Sequence, residues 1–245
     1  MDNAQVIREA IQHVCMLREK VQTQQQLGMA FKWVKRIQSA RFQACYADLL
    51  ASCDFGAASH FFLEDLYGEA DYSDRDMQFA RIAGTLSSVF PSSVIGTATA
   101  LARLHVLTEE LDYLMAMECM GMHSLVSDND MWCYVTAWRA VGRRSDRQHQ
   151  LQAVLDMGHA LADLTRKPGL SILLNLMRAP AARSGLSSLQ QFLERGFKTF
   201  SALSHTKGKV DDFLSTIEYR ESAWMNAMFD APKKECLEQF MKPIE

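Results

Sequence analysis

The chain has 245 residues and a formal net charge of −3 at pH 7, with 48% hydrophobic and 22% charged residues. This composition is typical of a soluble globular protein, and the near-neutral charge gives no support for nucleic-acid or membrane binding. The first residues, MDNAQVIREAIQHV, lack the basic and apolar regions of a signal peptide, and no stretch is apolar for long enough to cross a bilayer.

Six cysteines are spread through the chain without a C-x-x-C pair or a zinc-type spacing. Single cysteines within helical periodicities are typical of small buried side chains that stay reduced. We therefore expect a cytoplasmic protein, and no cofactor can be named from these residues.

Helical periodicity fills the gaps between the five prolines, and the hairpin dipeptides Asn-Gly, Asp-Gly and Gly-Gly are absent. In the first half, the apolar spacing predicts helices over residues 3–26, 29–52, 57–67, 74–90 and 93–120. In the second half, Ser127 is predicted to cap a helix that ends before Gly142, and Ser145 to cap a helix that ends near residue 166.

The last third of the chain continues this helical pattern. Residues 170–178 (LSILLNLMR) are apolar on nearly all sides, which predicts a buried central helix. Ser187 and Gln190 have capping-box spacing, and a long helix is predicted over residues 210–229. No linker divides the chain, so we predict an all-α, single-domain multi-helix bundle of roughly nine or ten helices over residues 1–230, with a C-terminal tail at residues 231–245.

The stretch SHFFLEDLYGEADYSDRD, residues 59–76, combines two phenylalanines with six carboxylates. The acids could form a site, but they do not have the spacing of an EF-hand. We interpret the stretch as a helix end and a restart, in which aromatic anchors precede a glycine stop, a serine cap and first-turn acids. The positions concerned, in that order, are Phe61, Phe62, Gly68, Ser73 and Asp76.

The segment FFLEDLYG followed by a D-x-S-x-R-D turn resembles the signature of the bacterial "FFLEELY motif" proteins, a family of helical proteins with no assigned activity. The resemblance covers residues 61–76 and continues through RRSDRQ and LMRAPAARSGLSSLQQFLERGF. Asp65 stands where the family name has glutamate. The resemblance implies a helical fold and a bacterial source, and it transfers no catalytic residue.

Two His/Glu pairs recur at i, i+4 spacing, and each pair shares one helix face. Two such pairs on different helices could hold metal ions, but the Glu-x-x-His spacing of ferritin-like bundles is missing, and we predict no metal ligand. Together with neighbouring tyrosines, these pairs supply candidate pocket or ligand-binding residues: Glu64, Tyr67, His105, Glu109 and Tyr113.

A cluster of arginines surrounds the predicted helix break at residues 142–145: Arg139, Arg143, Arg144 and Arg147. Free amides at a helix start and nearby guanidinium groups could bind an anion, so Arg143 and Arg147 join the candidate ligand-binding residues. The alternative is pairing with the acidic residues 61–130, which carry twelve acids and three bases, whereas residues 131–210 carry four acids and twelve bases.

The sequence contains no phosphate loop, G-x-S-x-G, H-E-x-x-H or Rossmann fingerprint. We therefore predict a helical protein that acts by binding a protein partner, or an apolar or anionic small molecule in an inter-helix pocket. The alternative is a helical enzyme with a metal or carboxylate/His site, centred on His105 and Glu109 with Glu64 opposite. Neither a nucleic acid nor a membrane is expected as a partner.

Overall fold

The computed structural model describes residues 2–66, 72–121 and 130–239, apart from the side chains of residues 66, 86–89, 130 and 237–239. Within these residues, 88% of positions are helical and no strand is present, which confirms the predicted all-α fold. None of the described helices is both long and apolar enough to span a membrane.

The α-helices, in chain order, are α1 (Asn3–Thr23), α2 (Gln25–Cys45), α3 (Ala47–Ala51), α4 (Gly56–His60), α5 (Ser73–Val89), α6 (Ser92–Met120), α7 (Asp130–Val141), α8 (Arg144–Thr165), α9 (Leu170–Arg183), α10 (Ser187–Ser204), α11 (Lys209–Asp230) and α12 (Lys233–Gln239). A π-helical turn, Phe61–Leu66, continues directly from α4. Two predicted helices are interrupted, because the chain bends at Tyr46 between α2 and α3 and changes its helical pitch at Phe61.

The chain divides into two compact units, each assembled from three separated stretches. The first unit comprises Met1–Cys15, Ala70–Val106 and Ala153–Leu214. The second unit comprises Met16–Glu69, Leu107–Gln152 and Ser215–Glu245. The single domain expected over residues 1–230 stays a prediction.

One core cluster of the first unit is built largely from small aliphatic side chains. α1, α5 and α6 bury an aliphatic cluster formed by Ala4, Ile7, Ala10, Ala83, Ile95 and Ala102. Elsewhere in this unit, a Cβ atom built on Gly158 of α8 would lie 2.5 Å from Cδ2 of Leu214 on α11. Because side chains in a protein core cannot interpenetrate, the missing Cβ at Gly158 is what allows this close approach.

Aromatic and sulfur-containing side chains build the core of the second unit, in which α2, α6, α7 and α11 all take part. Four rings follow one another in a continuous row that we call the aromatic row: Trp33, Tyr134, Trp138 and Trp224. The successive ring centroids are 6.3, 6.2 and 4.9 Å apart. Ring pairs at such distances contribute about 0.5–1.5 kcal/mol each beyond area burial, so the aromatic row ties α2, α7 and α11 together.

The prediction that residues 170–178 form a buried central helix is wrong. Ile172 and Leu176 on α9 are 65% and 68% exposed, and only Leu170, Leu174 and Ala181 are buried. α9 also continues through Pro180, which has no backbone N–H and therefore removes one helix hydrogen bond near the helix end. Apolar residues on all sides of a helix permit complete burial but do not require it. α9 packs on α10 with one face, while Ile172 and Leu176 stay exposed.

Two predicted helix caps are also wrong. α10 starts at Ser187 without a side-chain cap from its own first turn, and the amide of Leu189 donates instead to Oε1 of Gln78 at 2.9 Å. α8 begins at Arg144, so Ser145 lies inside the helix. The preceding Arg143 has a left-handed conformation with φ of 53°. The proposed caps at Ser127 and the glycine stop at position 68 lie outside the described residues.

Candidate functional site

The aromatic anchors of the opening stretch are buried, whereas its first acid is not. Phe61 and Phe62 are 4% and 6% exposed and meet edge to face with centroids 6.3 Å apart. Glu64 is exposed and lies 2.9 Å from Nδ1 of His60, one helical turn away. Surface pairs of this kind contribute little to stability, so Glu64 does not line a buried site. Tyr67 lies outside the described residues.

The later acids of the stretch occupy the first turn of α5, as predicted, and they bind side chains from other helices of the first unit. Asp76 is 3% exposed, and its Oδ2 lies 2.8 Å from Nε2 of His105 on α6. Arg75 lies 3.4 Å from the other oxygen of Asp76. Asp74 accepts hydrogen bonds from Gln78 and from Ser188 of α10. These carboxylates therefore join α5 to α6 and α10.

In the second unit, Glu109 and Asp112 of α6 form a buried polar network with α2. Both carboxylates are less than 5% exposed, and Nζ of Lys35 lies 3.0 Å from each of them. Arg18 is 3.5 Å from Glu109, and Gln38 donates to Asp112 at 2.9 Å. Burial opposes the charge of Lys35, but the two carboxylates outweigh it and raise the pKa of Lys35.

His105 belongs to the first unit and Glu109 to the second, and each has its own charged partner. Tyr113 is half-buried and packs against the core of the second unit. Among the described residues, no group of three or more His, Cys, Asp and Glu side chains could hold a metal ion. The residues expected to form one pocket are therefore distributed over different local networks.

Most of the predicted arginine cluster has partners in the second unit. Arg143 is half-exposed and pairs with Asp146. Arg144 lies 2.5 Å from Asp230. Arg139 donates to two backbone carbonyls at 2.7 and 2.5 Å, close to the end of α11. These contacts fix the junction between α7 and α8 and the end of α11.

Arg147 differs from these neighbours. It is 5% exposed, and its guanidinium carbon lies 4.0 Å from the ring centroid of Trp138. The described residues place no carboxylate within ion-pair distance, and its buried Nη2 has no hydrogen-bond acceptor among them. Burial lowers the pKa of Arg147, although Tyr134 and Asp112 act in the opposite direction. Arg147 therefore carries a buried charge that no carboxylate of the described residues contacts directly.

The surroundings of Arg147 also contain an excess of hydrogen-bond donors. The indole Nε1 atoms of Trp33 and Trp138 are buried and have no acceptor among the described residues. An indole N–H can only donate, and a guanidinium group can only donate. Burial raises the pKa of Tyr134, which lies between these rings, to about 12, so its phenol stays neutral at pH 7. The aromatic row and Arg147 together form a buried, donor-rich, positively charged region.

Sequence reasoning named Arg147 but missed the aromatic row. Trp33 and Trp138 occupy the apolar stripes of α2 and α7, where helical spacing by itself indicates core residues. The packing of Arg147 against Trp138 depends on how α8 folds back on α7, and the contact of Trp33 with Tyr134 joins positions far apart in the chain, so helical spacing alone shows neither.

All six cysteines are free thiols. Cys15 and Cys53 are exposed, Cys133 is half-buried, and the remaining thiols of Cys45, Cys119 and Cys236 are buried. Burial raises the pKa of Cys119 to about 12, which keeps it in the unreactive thiol form.

A protein-family model described as "Domain of unknown function (DUF8198)" matches residues 17–235 of the chain. No curated protein and no solved structure matches the chain.

Proposed function

The chain belongs to the DUF8198 family, whose description assigns no activity, and we propose that it acts by binding a small anionic ligand at Arg147. The observation that carries this proposal is the burial of Arg147 without a carboxylate partner among the described residues. The ligand would supply the missing negative charge.

The energetic argument compares the cost of this burial with its local compensation. An uncompensated buried charge costs about 3–5 kcal/mol. A desolvated cation–π contact such as that of Arg147 with Trp138 returns about 2 kcal/mol. The difference is an unfavourable term in the folded protein, and a bound anion would remove it. Side chains kept in such positions against their cost are candidates for functional roles.

Two other cations of the second unit, both on α2, already have carboxylate partners, which favours Arg147 as the position of the anion. Arg41 is held by Glu221 through two hydrogen bonds of 2.9 Å. Lys35 is held by Glu109 and Asp112. An anion at either place would meet carboxylates that already neutralise the cation, whereas at Arg147 it meets an unmatched charge.

We also propose the narrower family, the bacterial source and the cytoplasmic location that the sequence predicts. The stretch FFLEDLYG supports assignment to the "FFLEELY motif" proteins and a bacterial source. The six free thiols support a reducing, cytoplasmic location. A protein partner remains a prediction of the sequence and has no contact in the described residues that favours it.

Thermal unfolding with a panel of anions tests the proposed function. The sodium salts of phosphate, sulfate, acetate and benzoate are titrated at constant ionic strength, with chloride as the reference. A ligand that binds only the folded state stabilises it by about 2.7 kcal/mol at one hundred times its Kd, so Tm rises in a saturable way. We expect this rise for at least one anion in the wild type.

Two variants separate the site from general salt effects. Arg147→Met removes the unmatched charge and abolishes the rise in Tm. Arg143→Met, in the same chain segment, removes an arginine that is half-exposed and already paired with Asp146, and it keeps the rise. No saturable stabilisation by any anion, or equal stabilisation of Arg147→Met, would overturn the proposal.

A further inference from the structure

The surroundings of Arg147 also limit which anion fits, and this inference rests on the proposed function. We infer that the ligand is a monocarboxylate with an apolar body, whose carboxylate binds Arg147 and Trp138 and whose body lies against neighbouring apolar side chains. Three properties of the described residues lead to this class: the number of charges, the type of hydrogen-bonding atoms and the polarity of the surroundings.

The charge balance favours a monoanion. The carboxylates Glu109, Asp112 and Glu221 are engaged by cations of α1 and α2, and none of them lies within ion-pair distance of Arg147, which carries one positive charge. A dianion would replace one uncompensated buried charge by another of opposite sign.

The hydrogen-bonding atoms favour a carboxylate. Nη2 of Arg147 and Nε1 of Trp138 are buried donors without acceptors among the described residues, and the guanidinium lies over the same indole ring. An ionised carboxylate offers two oxygens that only accept, so it complements two neighbouring donors. Bonds between charged groups are stronger than neutral ones, which favours a carboxylate over a neutral carbonyl at this position.

The side chains around the two donors are apolar. Leu151 follows Arg147 by one helical turn on α8, and Val141 follows Trp138 by three residues on α7. Both are partly buried and pack against the core of the second unit, as does Phe229, whose ring centroid is 5.7 Å from that of Trp138. A ligand body beside these side chains gains affinity by removing apolar surface from water.

The inference is tested with matched small molecules on the full chain. Benzoate, phenylacetate and hexanoate represent apolar monocarboxylates, and acetate keeps the carboxylate without the body. Benzamide keeps the body without the charge, and phosphate and sulfate represent inorganic oxyanions. Isothermal titration gives Kd for each compound, and thermal unfolding gives an independent order of affinities.

We expect the apolar monocarboxylates to bind at least about tenfold more tightly than either acetate or benzamide, because each comparison removes one group of contacts. Arg147→Met should abolish binding. Trp138→Phe keeps an aromatic ring beneath the guanidinium but removes the indole N–H, and it should weaken carboxylate binding several-fold. Circular dichroism and the Tm without ligand check that both variants are folded.

The possible outcomes separate this inference from the proposed function. Binding of phosphate or sulfate without binding of the carboxylates would overturn the monocarboxylate inference and leave anion binding at Arg147 intact. Equal binding of benzoate and benzamide would also overturn it, because the charge would then contribute nothing. If no anion binds, both proposals fail, and ordered water is the remaining way to satisfy the buried donors.

Discussion

The guanidinium of Arg147 lies on the face of Trp138, 4.0 Å from the ring centroid, and this cation–π contact is its main described partner. Arg41 has a similar contact with Trp224 at 3.9 Å, but it is also held by Glu221. Two buried arginines at one aromatic row thus differ in the presence of a carboxylate partner. This difference allows a direct comparison between them.

We predict opposite effects on stability when each arginine is replaced by methionine. Arg41→Met leaves Glu221 without its cation and should lower the free energy of unfolding by about 3–5 kcal/mol. Arg147→Met removes a charge that has no counter-charge in the described residues, and it should leave stability unchanged or raise it by about 1 kcal/mol. Urea unfolding at pH 7 measures both effects. A loss of stability in Arg147→Met as large as that in Arg41→Met would show that the arginine is structural.

The second prediction concerns alkaline pH. The pKa of Tyr134 is raised by burial to about 12, and the pKa of Lys35 is raised by its carboxylates despite burial. The unfolded chain loses these protons near pH 10, while the folded protein keeps them to higher pH. Stability is therefore complete below pH 10 and falls as pH rises from about 10 to 12.

Tyr134→Phe should reduce the slope of stability against pH in this alkaline range, because one of the titrating groups is removed. Tyr219→Phe, at a position 59% exposed, serves as the matched control. Urea unfolding between pH 9 and 12 provides the measurement. A slope unchanged by Tyr134→Phe would mean that the phenol does not contribute to the alkaline loss of stability.

The third prediction compares two glycines within helices of the first unit. Gly158→Ala places a methyl group against Leu214, which is only 2% exposed and has little room to move, so we expect a loss of about 1–3 kcal/mol. Gly96→Ala meets no atom within 4 Å and should gain about 0.5–1 kcal/mol from helix propensity. In a double variant, Leu214→Val should recover part of the stability lost in Gly158→Ala, but it should not alter the effect of Gly96→Ala. Strictly additive stability changes for Gly158→Ala and Leu214→Val would contradict the proposed contact.

The fourth prediction tests how α10 begins. Gln78→Ala removes the acceptor for the buried amide of Leu189, which should cost about 1–3 kcal/mol. Ser187→Ala removes the residue predicted from sequence to act as the cap and should change stability by less than about 0.5 kcal/mol. Thermal unfolding measures both losses of stability. Equal losses in the two variants would show that Ser187 does cap α10, as its capping-box spacing predicts.

Most of the fold was predictable because helical periodicity depends only on local spacing. The bounds of α1, α6 and α11 agree with the expected helices to within a few residues. α9 was misjudged because its apolar residues surround the helix, and spacing alone then cannot tell which face packs on a neighbour. Ile172 and Leu176 remained exposed although they are as apolar as the buried Leu174.

The candidate site was less predictable, since it depends on partners far apart in the chain. The i, i+4 rule coupled His105 to Glu109, but His105 binds Asp76, 29 positions earlier. Likewise, the pairing of Arg41 with Glu221 spans 180 positions. Without such contacts, sequence cannot show that Arg147 is the member of the arginine cluster left without a carboxylate.

The distribution of thiols makes the native chain suitable for distance measurements. Cys15 closes the first stretch of the first unit, and Cys53 belongs to the second unit. Both are exposed, whereas burial keeps Cys119 protonated and slow to react. Brief maleimide labelling would place fluorophores mainly at Cys15 and Cys53, so energy transfer would report any change in the distance between these two positions when an anion is added.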